Sequence, residues 1–289
     1  MARLVIAARL VHPFPSILDG FVVAMVATVG GGGLGRAAAL GASMTLLQFA
    51  IGALNDIVDA PRDAGRTPGK PIPGGLVTRR TAGLVVAGSA IGGVVLAFAT
   101  GGPALVLLAG ATLTIGAAYD LWAKGTTLSW LPLAVGIPLL PVFGWFGATG
   151  ELPGVFLVII PAAANAGTAL AIANAIVDMD RDEAAGSSSI ALALGAGRAA
   201  GLVIGLHAVV AGLALSTAVA LGAPTGWAAA VLLAAAAPLG GAILGLVVAL
   251  RASVGWRELA WEIQAVGTGL LAVAWLGALS AATGTPLGR

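Results

Sequence analysis

Two short segments of the sequence concentrate side chains that could bind metal ions. Asn55, Asp59 and Asp63 follow one another at four-residue intervals in NDIVDAPRD, and Asp178 and Asp182 have the same spacing in NAIVDMDRDE. On a helix, residues four apart share one face. Carboxylates gathered this closely repel one another unless cations neutralise them, and hard oxygen ligands of this kind suit Mg²⁺. Both segments are therefore predicted to bind Mg²⁺.

Basic residues beside these segments indicate what the metal ions would accompany. Protein-bound Mg²⁺ is commonly held by one or two carboxylates together with water and phosphate oxygens. Nearby cations could neutralise a leaving diphosphate, and they are Arg62, Arg66, Lys70, Lys124 and Arg181. The sequence favours a diphosphate-using enzyme whose substrate is otherwise lipid. The alternative, two solvated loops balanced by arginine, is less favoured because both loops share one spacing.

The composition indicates the elements that must position these groups. The chain has 289 residues, of which 59% are hydrophobic and 9% charged, whereas soluble domains carry about 25% charged residues. Its apolar runs are continuous, unlike the alternating pattern of a membrane β-barrel. An all-α polytopic membrane bundle is predicted. Cysteine is absent, which excludes disulfides and thiolate chemistry, and nothing indicates a nucleic-acid partner.

About nine apolar segments are long enough to cross a bilayer, which takes roughly twenty residues. A single integral membrane domain over residues 1–289 is therefore predicted, with the helices around a central cavity. The segments lie near residues 15–32, 36–54, 79–100, 103–121, 130–148, 153–176, 197–221, 225–250 and 263–283.

The basic residues predict the orientation of these spans. Twelve of the fourteen lie in the amino-terminal segment or in loops that follow even-numbered spans. The positive-inside rule then places the amino terminus and every acidic motif on the cytoplasmic side of the membrane. The twelve are Arg3, Arg9, Arg62, Arg66, Lys70, Arg79, Arg80, Lys124, Arg181, Arg198, Arg251 and Arg257.

The two acidic segments belong to an internal repeat whose copies start four spans apart. Aligning ALNDIVDAPRDAG with IANAIVDMDRDEAAG pairs three acidic or amide positions and one arginine. Asp56 aligns with Ala175 and has no acidic counterpart. Pseudo-repeat halves near residues 10–125 and 130–250 would face one another around a common cavity. The pairs are Asn55 with Asn174, Asp59 with Asp178, Arg62 with Arg181, and Asp63 with Asp182.

A few polar residues lie inside the predicted spans. Asp19 falls near the start of the first span, where it either lines an acceptor pocket or caps a helix. Four others, Thr45, Gln48, Asn165 and Thr168, precede the acidic segments by up to about three turns. They are expected either to face the cavity or to form hydrogen bonds between helices.

These motifs resemble those of a known family. NDIVDAPRDAGRTPGKPIPGG resembles the first signature of the UbiA superfamily of intramembrane prenyltransferases, and DMDRDEAAG resembles the second. AYDLWAKGTTLSWLP is similar to the Tyr/Lys loop between them, although Tyr119 and Lys124 are five residues apart, a wider spacing than in the family. The resemblance spans about residues 9 to 200, and the last three spans match only in hydropathy.

The resemblance implies a fold, an activity and roles for individual residues. The fold would be a nine-helix bundle with a cavity open to lipid. The activity would be Mg²⁺-dependent transfer of a prenyl group from an isoprenyl diphosphate to an acceptor, which the sequence does not identify. Asn55, Asp59 and Asp63 would bind one Mg²⁺, and Asp178 and Asp182 a second. Arg66, Lys70 and Lys124 would contact phosphate oxygens, and Tyr119 would position the diphosphate.

The sequence leaves two other functions open. A terpene cyclase of the same fold would use no acceptor and would favour aromatic faces around the cation. The sequence offers few, namely Phe14, Phe21, Phe49, Phe98, Phe143, Trp145 and Phe146. A lipid transporter would place charges near the membrane midplane, whereas here they are predicted at one face. Asp120 and Asp180 are expected to be solvated or to support the ligands rather than to bind metal.

Overall fold

The computed structural model describes residues 7–63, 70–249 and 254–283, and every regular element in these ranges is helical. The all-α prediction is confirmed. The α-helices are α1 (Pro13–Val29), α2 (Leu34–Asp59), α3 (Arg79–Ala118), α4 (Leu131–Gly136), α5 (Leu139–Thr149), α6 (Phe156–Ala184), α7 (Ile190–Leu194), α8 (Ala196–Ala220), α9 (Thr225–Ala249) and α10 (Val254–Thr283).

Most of these helices have the length and composition of membrane spans. In the described ranges, seven segments of at least 18 residues are apolar enough to cross a bilayer, and α1 is a shorter apolar helix. In one of the seven, α4 and α5 together form a single segment, Leu131–Thr149. A backbone break divides α3 in two, so these ranges give about nine apolar segments. The predicted membrane bundle is confirmed, with close to the predicted number of spans.

The break in α3 lies at Gly101 and Gly102. Gly102 has a φ of 64° and a ψ of −155°, a combination essentially restricted to glycine. Pro103 follows, and proline fits the first turn of a helix because that turn needs no N–H donor there. Residues just after α3 form hydrogen bonds with the end of α2. α3 therefore reverses direction at the break, and its second half ends at the same end of the bundle at which its first half begins.

Gly102→Ala is expected to destabilise the fold by about 1–3 kcal/mol, because alanine would be held in a strained backbone conformation. A Cβ at this position would meet no atom within 4 Å, so the loss would come from the backbone alone. Gly88→Ala is the matched control, since Gly88 lies in regular helix of α3 and is equally free of neighbours. Thermal unfolding in detergent checks both variants, and equal melting temperatures would contradict the strain.

Hydrogen bonds show how the helices alternate between the two ends of the bundle. At one end, the ring of His12, just before α1, hydrogen bonds to Asp56 near the end of α2. At the other end, Arg36 in the first turn of α2 donates to the carbonyl oxygens of Gly147 and Thr100 at 2.6 and 2.7 Å. α1 and α2 therefore run in opposite directions, and α5 ends where α2 begins.

Small residues allow the helices to pack closely, as in other membrane bundles. A Cβ on Gly20 of α1 would lie 2.6 Å from the carbonyl oxygen of Gly41 on α2, so the two backbones approach each other directly. A hydrophobic core joins α1, α5, α6, α8, α9 and α10 around the buried indole rings of Trp145 and Trp275. This core lies towards the end of the bundle opposite the acidic motifs.

Candidate functional site

Both acidic segments lie at the same end of the bundle. The first occupies the end of α2, and the second occupies the last two turns of α6. They are connected through the loop after α3: Lys124 in this loop hydrogen bonds to Asp59, and the backbone N–H and the hydroxyl of Ser188, after α6, both donate to the Gly125 carbonyl oxygen at 3.3 Å. The polar residues of the chain are thus gathered where the apolar helices end.

The first segment extends one turn beyond its helix. α2 ends at Asp59, but the N–H of Asp63 still donates to the Asp59 carbonyl oxygen at 2.9 Å. Asp63 therefore stays close to Asp59 after the helix has ended. Asp56, Asp59 and Asp63 are all at least nine-tenths buried, which indicates a closed, charge-paired site rather than solvated loops.

A π-helical turn after α3 brings Tyr119 and Lys124 together. The N–H of Lys124 donates to the Tyr119 carbonyl oxygen at 2.9 Å, and the ammonium lies 5.8 Å from the centre of the tyrosine ring. In a π-turn, residues five apart are bridged by a hydrogen bond, and such turns are frequent at functional sites. This accounts for the wide spacing in the sequence. The Lys124 ammonium also donates a hydrogen bond to the Asp59 carboxylate.

Asn55 is held by Asp120, which the sequence did not assign to it. Its side-chain Nδ2 donates to Asp120 Oδ1 at 2.6 Å. Asp120 is 5% exposed, so the solvated alternative for this residue was wrong and a supporting one remains. Because Asp120 accepts from the amide nitrogen, the amide oxygen of Asn55 is left to bind another group.

Lys70 and His12 converge on Asp56. The Lys70 ammonium donates to Asp56 Oδ1 at 2.8 Å and lies 3.6 Å from Asp63 Oδ2, and the His12 ring nitrogen is 3.2 Å from Asp56 Oδ1. Burial alone would lower the pKa of the Lys70 ammonium, but the hydrogen bond and charge of Asp56, with the charges of Asp63 and Asp59, raise it above its usual value. Lys70 is therefore firmly cationic.

The second segment is more open than the first. Arg181 pairs with Asp178 one turn before it, and both side chains are partly exposed. Asp180 is exposed and pairs with Arg257 of α10 at 2.5 Å, while Arg257 also donates to the Ile176 carbonyl oxygen. Asp180 thus connects α6 to α10 at the surface of the bundle, where it is solvated, which is one of the two roles expected of it.

The two segments meet around Tyr119. Tyr119 lies within electrostatic range of Asp59 and Asp120 and also of Asp178 and Asp182. Asp182 also interacts with the charge of Lys124 and hydrogen bonds to Ser189. The π-turn therefore lies near carboxylates of both acidic motifs.

The residues present fit divalent cations that arrive with a phosphate ligand. In the described ranges, no three carboxylates or histidines are grouped closely enough to hold a metal alone. Mg²⁺ commonly uses only one or two carboxylates, with phosphate and water completing its shell. Asp56 and Asp120 each keep one buried carboxylate oxygen without a partner among the described residues. Arg66 lies outside the described ranges.

An apolar cavity lies beneath the polar end. It is partly open, its empty space including the part open to the exterior is about 750 Å³, and it is lined by α1, α5, α6, α8 and α10. Leu170 in its wall lies eight residues before Asp178 on α6, about 12 Å along the helix. Thr45, Asn165 and Thr168 were expected either to face the cavity or to bond between helices. They instead donate to carbonyl oxygens of their own helices, and none of them lines this cavity.

Comparisons with known proteins give a consistent result. The model of the UbiA prenyltransferase family matches residues 17–253. Over 120 residues the chain is 35% identical to protoheme IX farnesyltransferase from Oleidesulfovibrio alaskensis, a match that covers 40% of this chain and 43% of that relative. The chain therefore aligns with less than half the length of this curated relative.

Solved structures share the fold. A UbiA homologue from Aeropyrum pernix K1 has a TM-score of 0.71 at 22% identity and covers 89% of this chain and 96% of its own. Digeranylgeranylglyceryl phosphate synthase has a TM-score of 0.68 at 14% identity, with 97% and 100% covered. A UbiA homologue from Archaeoglobus fulgidus bound to GPP and Mg²⁺ has a TM-score of 0.59 at 18% identity, with 92% and 99% covered. These identities establish the common architecture alone.

Proposed function

Because the chain belongs to the UbiA prenyltransferase family, we propose that it transfers a prenyl group from an allylic isoprenyl diphosphate to an acceptor within the membrane. The observation that carries the proposal is the convergence of both acidic motifs on Tyr119 and Lys124. The interior of the bundle behind this polar end contains an apolar cavity. Such an arrangement suits reactants that are apolar apart from a diphosphate group.

The acidic motifs are proposed to hold the diphosphate through Mg²⁺. Asn55, Asp59 and Asp63 would form one binding group, and Asp178 and Asp182 the other. A structural neighbour from Archaeoglobus fulgidus is bound to GPP and Mg²⁺, which supports this choice of metal and ligand. When bound, Mg²⁺ would neutralise the charge that develops on the departing diphosphate.

Cationic side chains would complete the diphosphate site. Lys124 and Lys70 are held at the motif by Asp59 and Asp56, so each ammonium would be available to phosphate oxygens bound there. Arg181 at the second motif would bind the other side of the diphosphate, and Arg66 is proposed for the same role. Positive charge fixed in advance stabilises a leaving group without reorganisation in the transition state.

The apolar cavity would protect the reactive carbon. The allylic C–O bond breaks, and its electron pair leaves with the diphosphate. The acceptor then forms the new bond to the allylic carbon and loses a proton. Aliphatic walls on α1, α6 and α10 would keep water from capturing the cation first. Tyr119, between the two motifs, is proposed to orient the diphosphate oxygen that departs.

The cavity favours transfer over cyclisation. None of the aromatic residues considered as cation-stabilising candidates lies among its lining residues, where Trp275 is the aromatic side chain. Phe14, Phe21 and Phe98 are exposed on the outer surface, and Phe143 and Trp145 are fully buried. A cyclase would need aromatic faces around the migrating charge. A transporter is disfavoured because the acidic motifs lie at the ends of helices rather than at their middle.

The orientation in the membrane remains a proposal. The site end carries Lys70, Lys124, Arg181 and Arg257, whereas Arg36 lies at the opposite end. By the positive-inside rule, the site end and the amino terminus would face the cytoplasm. The chain is proposed to be one domain whose repeat halves each contribute one motif.

The direct test is a product assay with the full chain in membranes. Labelled geranyl, farnesyl and geranylgeranyl diphosphates are supplied with Mg²⁺, with and without candidate acceptors, and lipid products are identified. A prenylated acceptor together with released diphosphate supports the proposal. Diphosphate release with cyclic hydrocarbon products and no adduct would establish the cyclase, and no release from any substrate would refute both.

Asp120→Ala is expected to raise the Mg²⁺ concentration for half-maximal activity by about tenfold, because residues that orient metal ligands typically contribute 10–100-fold to metal affinity. Asp120 fixes the orientation of the Asn55 amide by accepting from its nitrogen, which leaves the amide oxygen available. Without Asp120 this orientation would be lost. Asp120→Asn retains an acceptor oxygen and is the matched control, for which a smaller increase in this Mg²⁺ concentration is expected. Equal Mg²⁺ dependence in both variants and the unaltered protein would contradict this role.

A further inference from the structure

The cavity contains a carboxyl group that the proposed chemistry does not use. Asp19 lines it from α1, and in the part of the chain that the structure describes no hydrogen bond or ion pair involves this side chain. It lies in the second turn of α1, which begins at Pro13, so the cap role considered for it was wrong. A polar group in apolar surroundings costs free energy unless something binds it.

A second unpaired polar group lines the same cavity. Thr268 of α10 has a buried hydroxyl oxygen without a hydrogen-bond partner among the described residues. α1 and α10 touch at this level, since a Cβ on Gly269 would lie 2.7 Å from Cγ2 of Val22, one turn beyond Asp19. Among the lining residues, the other polar atom, Nε1 of Trp275, already donates to Thr217 at 2.8 Å.

The pair lies well below the diphosphate site. Gly20, next to Asp19, packs against Gly41 and Thr45 of α2. Thr45 precedes Asn55 by ten residues, which corresponds to about 15 Å along the helix. Asp19 is therefore too far from the acidic motifs to hold the same metal ions.

We propose that Asp19 and Thr268 bind a hydroxyl or amine group of the acceptor, remote from its reacting atom, while the rest of the acceptor fills the apolar cavity. The carboxyl oxygens of Asp19 accept a hydrogen bond that the O–H or N–H of this group donates. The Thr268 hydroxyl, after rotation of its side chain, forms a second hydrogen bond with the same group. The inference rests on the proposed function. It gives the acceptor class as an apolar molecule with a hydrogen-bond donor about 15 Å from the diphosphate end of the site.

Binding of a matched pair of probes tests the inference without catalysis. 12-Bromododecan-1-ol and 1-bromododecane differ in the hydroxyl group, and bromine quenches the fluorescence of Trp275 in the cavity wall. The fluorescence of Trp275 is obtained by subtracting the fluorescence of the Trp275→Phe variant from that of the unaltered protein. The alcohol is expected to bind about tenfold more tightly than the hydrocarbon, as one or two hydrogen bonds would give. Equal affinities overturn the inference.

Variants identify the groups responsible. Asp19→Leu and Thr268→Val are expected to reduce or abolish the preference for the alcohol, while Asp19→Asn keeps most of it because the amide oxygen still accepts. Thr114→Val is the control, since the Thr114 hydroxyl is exposed and bonds to its own helix. An unchanged preference in Asp19→Leu overturns the inference.

Thermal unfolding separates ligand binding from a structural role. Asp19→Leu is expected to raise the melting temperature by a few degrees, because it removes an unpaired polar group from an apolar cavity. A structural carboxyl would give the opposite sign. A lower melting temperature in both Asp19→Leu and Asp19→Asn therefore overturns the inference.

Two further arms distinguish the acceptor from the prenyl donor and from a failure of the proposed function. Saturating geranylgeranyl S-thiolodiphosphate with Mg²⁺ is expected to leave the affinity for the alcohol unchanged. Competition between them would assign the cavity to the donor chain and overturn the inference. If no isoprenyl diphosphate is turned over while the alcohol preference persists, the proposed function fails and the hydroxyl site is supported as a binding site.

Discussion

Asp59→Ala and Asp178→Ala are each expected to reduce diphosphate release by about 10²–10³-fold, because each removes a carboxylate proposed to hold the diphosphate through Mg²⁺. The two residues belong to different motifs and to different halves of the repeat. Similar losses in both would show that neither motif is sufficient alone. Turnover of labelled isoprenyl diphosphate in purified membranes measures the effect.

Folding must be separated from chemistry in these variants. Asp178 is partly exposed, so its removal should leave the melting temperature almost unchanged. Asp59 is buried against Lys124, and its loss leaves that ammonium without the carboxylate it contacts, so some destabilisation is expected. Glu183→Gln is the control, because Glu183 is exposed beside the second motif and has no assigned role. Full activity in Asp178→Ala would refute the metal assignment.

Lys124→Met is expected to lower kcat for diphosphate release by about 10²-fold, since it removes a cation from the leaving group while keeping the length of the side chain. The loss should appear mainly in kcat, because negative charge on the departing oxygen increases as the C–O bond breaks. Steady-state kinetics with farnesyl diphosphate over a range of concentrations measure kcat and KM separately.

Two further variants make the Lys124 result interpretable. Lys124→Arg keeps the charge and should recover part of the activity, whereas Arg80→Met removes an exposed cation outside the site and should have little effect. A Lys124→Met enzyme with kcat within twofold of the unaltered protein would show that the ammonium only pairs with Asp59 and does not contact the substrate.

The shared location of the two acidic motifs could be predicted because the physics is simple. Seven acidic residues in two short segments cannot lie in hydrocarbon at acceptable cost, so they must lie at helix ends. The repeat spacing then placed both segments after an even number of spans. Asn55, Asp59, Asp63, Asp178 and Asp182 accordingly lie at one end of the bundle.

The pairing of individual side chains could not be predicted in the same way. Asn55 with Asp120 and Asp59 with Lys124 are contacts between residues 65 positions apart, and they depend on how the end of α3 packs beside α2. No local pattern encodes that packing. The π-turn at Tyr119 also has no clear signature, because it ends its helix and no apolar periodicity follows in which an extra residue would show as a shift.

Polar residues inside the spans were ambiguous for a related reason. A threonine in an apolar helix satisfies its hydroxyl either on its own backbone or on a neighbouring helix, and sequence does not distinguish the two. Thr45 and Thr168 bond to their own helices, whereas Thr268 has no partner among the described residues. The structure was needed to show which of them faces a cavity.

Binding of Mn²⁺ in place of Mg²⁺ tests most directly whether both motifs hold one diphosphate. Electron paramagnetic resonance counts the ions bound per chain in the presence of inorganic diphosphate and detects their magnetic coupling. Two coupled ions are predicted, with binding dependent on diphosphate, and Asp178→Ala should leave one uncoupled ion. Two ions that bind without diphosphate and without coupling, or an unchanged spectrum in Asp178→Ala, would contradict a shared site.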